Sequence, residues 1–179
     1  MSSSMNERRA PRMAGAAAVE LAIVLIVLVV ITFGITELGR MLYQENSLTK
    51  AVNIGARYIA RKPGLFYSAK ATDDPPCGVM DSGEWANAQA AAKNLIICGN
   101  PDSCSGSEPV VPGLTADTIT ITAATLVSVG PSGDPAKGCR FEIDADAPFV
   151  PIFGDLIVPF TTLTGVTLNA HTEERYIGE

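Results

Sequence analysis

One carboxylate stands inside a run that otherwise holds no ionisable group. From Ala16 to Thr36 the chain has 21 residues, and Glu20 is the only one that titrates. A carboxylate inside an apolar helix has two uses. It can meet a positive group in lipid, where buried charges tend to be paired or functional. Alternatively it sits near the headgroups, favoured by the positive end of its own helix.

The other residues able to do chemistry lie after Lys62. Cys77, Cys98, Cys104 and Cys139 are separated by twenty, five and thirty-four residues. An even count in an exported segment reads as two disulfides, with three possible pairings. The short paired spacing of a zinc site is missing. A turn at Gly99-Asn100-Pro101 favours Cys98 with Cys104, which leaves Cys77 for Cys139. Glu142, Asp144 and Asp146 alternate along one strand face. Such oxygens can bind calcium, but no loop wraps a cation here, so a solvated strand face is the expectation. His171 is the only histidine, and the sequence supplies no partner base or nucleophile for catalysis. Trp85 is expected as a core anchor rather than an exposed adhesive contact. No phosphate-binding loop, dinucleotide fingerprint, zinc-protease helix, nucleophile elbow or EF-hand loop occurs. No catalytic residue, metal or cofactor is assigned.

These groups need elements to carry them. Ala16 to Thr36 is long enough to cross a bilayer core as a helix. Arg8, Arg9 and Arg12 precede it, which orients the N-terminus to the cytoplasm and the rest of the chain outside. The run exceeds the apolar core of a secretory signal and continues without a small-residue cleavage site after it. The helix is expected to extend unbroken from Ala16 to Arg61, roughly 70 Å, and to stop at Lys62-Pro63-Gly64. Beyond the span it is amphipathic. Met41, Leu48, Val52, Gly55 and Ile59 form one stripe, with Lys50, Arg57 and Arg61 opposite.

A loop over residues 63–82 precedes a second helix, Glu84 to about Ile97, whose Trp85, Ala88, Ala92 and Leu95 share a side. Another loop covers residues 99–115. Alternation then marks strands at 118–129, at Cys139 to Ala147 and at Val166 to Tyr176, with an irregular or short helical crossing at 148–164. The net charge of the chain is −6, and the part after Lys62 holds fifteen Asp and Glu against five Lys and Arg. That balance disfavours nucleic acid as a partner.

The stretches Gly15-AAAVE-Leu21, Phe33-GITELG-Arg40, Leu48-Thr49, Ala51 and Gly55-ARYI-Ala60 resemble the TadE-like proteins. These are pilin-related components of the Tad system, which builds Flp-type pili in bacteria. The resemblance implies cleavage between Gly15 and Ala16 by a prepilin peptidase. It also implies pairing of Glu20 with the new N-terminal amine of a neighbouring subunit's Ala16. The implied partners are the membrane, the peptidase, other Tad pilin or pseudopilin subunits and the assembly platform.

The expected architecture is α+β, pilin-like: a long N-terminal helix packed on a small antiparallel sheet of about three strands. It divides into a leader (1–15), a transmembrane helix (16–36), its amphipathic extension (37–62) and an extracytoplasmic domain with two disulfides (63–179). The expected function is that of a non-enzymatic minor pilin or pseudopilin in the bacterial inner membrane, supporting adherence. The alternatives are a permanent single-pass anchor displaying a binding domain, and an envelope enzyme dependent on His171.

Overall fold

The computed structural model describes residues 11–66, 79–129, 136–152 and 165–177. Helix α1, Pro11–Arg61, runs as one element through the apolar span and into the domain. It starts five residues before the expected Ala16. Proline is tolerated in a first helical turn, where its missing N–H has no partner to lose. Thr32 and Thr36 do not break the apolar part, because their hydroxyls donate to the carbonyls of Leu28 and Thr32 at 2.7 and 2.8 Å. Each thereby satisfies itself within the helix.

Helix α2, Ser82–Cys98, is opened by Asp81. Its Oδ1 accepts from the backbone N–H groups of Gly83 and Glu84 at 2.7 and 3.2 Å, which fills two of the orphan donors of the first turn. Gly99 closes α2 at φ 76°, and its N–H donates to Leu95, the left-handed stop that glycine adopts without strain. The buried side of α2 is Ala88, Ala92 and Ile96. Ile96 therefore replaces the expected Leu95. The contact with α1 selects the i, i+4, i+8 row, one residue round from the sequence reading.

Strands β1 (Ile119–Val129), β2 (Ala136–Pro148) and β3 (Thr167–Arg175) form an antiparallel sheet in the order β1-β2-β3. A register shift between Thr122 and Thr125 marks a bulge in β1. One face of the sheet is apolar, with Ile119, Ile121, Phe141, Ile143, Ala145, Leu168 and Ala170 buried. The helices cover that face. From α1 come Leu48, Val52, Ala56 and Ile59, and from α2 come Ala88, Ala92 and Ile96. The chain is thus α+β, with a long apolar N-terminal helix and a small three-stranded antiparallel sheet.

Two contacts set the spacing of these layers. An added Cβ at Gly55 would meet Ile96 Cγ1 at 2.6 Å, so the absence of a side chain lets α1 and α2 touch. Tyr176 closes the far end. Its hydroxyl donates to Lys62 O at 2.7 Å and accepts from Leu65 N–H at 3.0 Å, and Ile177 N–H donates to Ala60 O at 2.9 Å. Phe66 lies between Trp85 and Tyr176, ring centres 5.1 and 5.0 Å away. Trp85 packs on the core and is only partly buried.

Candidate functional site: the apolar helix and its exit

The apolar part of α1 stands open. Every residue from Gly15 to Phe33 is exposed, including Val19, Leu21, Ile23, Leu25 and Leu28. A soluble helix does not leave an apolar surface of this length open to water. Among the described residues, this is the one helix long and apolar enough to cross a membrane. The chain fits a single-pass membrane protein.

Gly15 and Ala16 lie within α1 and are exposed. Glu20 projects from the same helix, exposed, and no hydrogen bond or ion pair joins it to another described residue. Arg8 and Arg9 lie outside the described residues.

At the end of the span the situation reverses. Glu37 is only 2% exposed. Its Oε2 meets Arg40 at 2.8 Å, one turn on, and its Oε1 accepts the backbone N–H of Ile152 at 2.7 Å. The Arg40 guanidinium lies 5.7 Å from the centre of the Phe149 ring, a cation–π distance. Phe149 is itself buried, and its N–H donates to Val166 O at 2.8 Å. The helix is therefore latched to the end of the sheet at the residue where the apolar run stops. From the sequence alone, Glu37 and Arg40 have no role beyond their place in the Phe33–Arg40 stretch. The missed signal is that Glu37 lies on the buried stripe: Glu37, Gln44, Leu48, Val52 and Ile59 recur at helical spacing. A carboxylate on such a stripe must have partners in the fold.

The remaining candidates are accounted for on the domain. Cys98 and Cys104 form a disulfide with Cα atoms 5.6 Å apart. Cys139 is also disulfide-bonded, and Cys77 lies outside the described residues, as does the greater part of the 148–164 crossing. The acidic row on β2 faces β3. Asp144 Oδ1 is 2.7 Å from His171 Nδ1, Asp146 accepts from the Asn169 amide, and Glu142 is opposite Glu173, which pairs with Arg140. No group of three or more ligand side chains gathers to hold a metal among the described residues. His171 is exposed, and its hydrogen bond to Asp144 raises its pKa above the usual imidazole value, helped by the nearby Glu173 and Glu142 charges.

No curated protein and no solved structure matches the chain. The bare helix, its lone glutamate and the latched exit all fall in one segment that does match. Over residues 15–57 the chain matches the family model of TadE-like proteins.

Proposed function

We propose that this protein is a non-enzymatic minor pilin or pseudopilin of Tad pilus assembly. It is held in the bacterial inner membrane by residues 16–36 with its N-terminus in the cytoplasm. Residues 1–15 act as a leader removed between Gly15 and Ala16, and residues 63–179 form an extracytoplasmic domain. Glu20 then pairs with the free amine of Ala16 on a neighbouring subunit. The partners are a prepilin peptidase, other Tad subunits and the assembly platform. In the domain Cys77 pairs with Cys139.

The observation that carries this reading is Glu20, an exposed carboxylate without a partner among the described residues, on an exposed apolar helix inside the family-matched segment. A group of that kind is costly in lipid unless another molecule supplies the opposite charge. Glu20→Gln tests it. The variant keeps the shape and inserts at least as well, since a neutral amide costs less in lipid. Surface pili and attachment should fall while membrane levels hold. N-terminal sequencing of protein from the native membrane should begin at Ala16. Wild-type piliation from Glu20→Gln, with the leader retained, identifies a permanent anchor instead.

A further inference from the structure

The bilayer span and the domain meet at one level, set by Glu37. From Ala16 to Thr36 the helix rises about 30 Å, the thickness of a hydrocarbon core. Glu37 is the next residue, so its Cα lies at the lipid–water boundary. Side chains on an α-helix tilt toward its N-terminus, here toward the membrane. The Glu37 carboxylate therefore lies on the lipid side of its own Cα, and it holds the Ile152 N–H at 2.7 Å.

Segment 149–152 is pinned at both ends, at Phe149 by burial and its bond to Val166, and at Ile152 by Glu37. What it presents outward is apolar. Val150 is 56% and Ile152 66% exposed. On the helix at the same level Leu38 and Leu42 are also exposed, and Tyr43 stands within about two turns of the span. An apolar body with a polar tip suits the interface. Among the described residues at this level, Glu37 and Arg40 are paired with each other, so neither brings an uncompensated charge to lipid.

We infer that Val150 and Ile152 form a second membrane contact, an apolar foot that rests the domain on the headgroup–acyl boundary of the bilayer beside the helix exit. The occupant of this surface is lipid. The foot is continuous with the apolar helix, and the Glu37 latch fixes its height at the bilayer surface. A single helix leaves a domain free to swing. A helix with a foot gives the domain a fixed side facing the membrane. The inference rests on the membrane-spanning reading of residues 16–36.

The molecule carries its own control. Ile177 is 62% exposed, nearly as much as Ile152, but its N–H binds Ala60 O, roughly 35 Å farther up the helix than Glu37. The full chain is placed in lipid nanodiscs with its isoleucine δ1 methyls isotopically labelled. Spectra are recorded with and without a fraction of lipids bearing a nitroxide on the upper acyl chain. Ile152 is assigned by Ile152→Leu, which removes its signal and keeps its bulk. The expected result is loss of the Ile35 and Ile152 signals with Ile177 retained. Loss at Ile35 with Ile152 retained overturns the foot and leaves the membrane span intact. That same pattern would follow if a second copy of the chain covered Val150 and Ile152. Retention at Ile35 and throughout the span overturns both readings.

Discussion

Asp144 and His171 face each other across β2 and β3, and their hydrogen bond holds the imidazole cation on an exposed strand face. The folded pKa of His171 lies above its unfolded value of about 6.5. The pair's contribution to stability is therefore fully present below that unfolded value and is lost as pH rises through the raised folded value. Titration of the His171 ring by NMR should show the raised value in the wild type and a fall in Asp144→Asn. An unchanged titration in that variant would remove Asp144 as the cause. Glu37 is the residue on which the latch depends. Glu37→Ala leaves the Ile152 N–H without its acceptor and Arg40 without its counter-charge. The expected cost is about 1.5–3 kcal/mol, as for hydrogen bonds to charged groups, measured by denaturant unfolding of the full chain in micelles. Glu37→Gln keeps an acceptor for Ile152 and should lose less. Equal losses would show that the ion pair, not the bond to Ile152, holds the loop.

At the scale of elements, the contact between α1 and α2 depends on Gly55. Alanine is the better helix former by about 1 kcal/mol, yet its methyl would sit 2.6 and 2.7 Å from carbons of the fully buried Ile96. Overpacking of that kind costs about 1–3 kcal/mol, so Gly55→Ala should be destabilising on balance. Ile96→Ala should cost about 2–5 kcal/mol alone and less in the Gly55→Ala background, where the new methyl enters the space vacated. Additive losses in that double-mutant cycle would disprove the contact. These elements were readable from local rules. Alternation separates Leu168 and Ala170, which are buried, from Asn169 and His171 on β3, and the Gly99-Asn100-Pro101 turn marks the end of α2. Which row of α2 turns inward was not readable. Leu95 and Ile96 are equally apolar, and only the position of Gly55 on another helix decides between them. The latch was hidden for the same reason, since Glu37 and Ile152 are 115 residues apart and a backbone N–H leaves no mark in a sequence.

At the scale of the whole molecule, α1 belongs to two environments at once. Residues 15–33 are exposed, and its second half is part of the domain's core. Leu48, Val52 and Ile59 are at most 1% exposed, and each contributes about 1.5–3 kcal/mol by burial. Thr172 on β3 also donates to Asn53 at 2.9 Å. Together these side chains are worth about as much as the whole net stability of a typical domain, about 5–15 kcal/mol. The boundary that matters for folding therefore lies near Glu37, where the helix leaves the apolar span, and not at Lys62, where the helix ends. A chain covering residues 37–179, made in an oxidising compartment, should be monomeric and unfold cooperatively with heat. A chain covering residues 63–179 should show no cooperative transition and should expose the sheet face of Phe141, Ile143 and Leu168 to an apolar dye. A cooperative transition in the shorter chain would mean that α1 leans on a domain already complete without it.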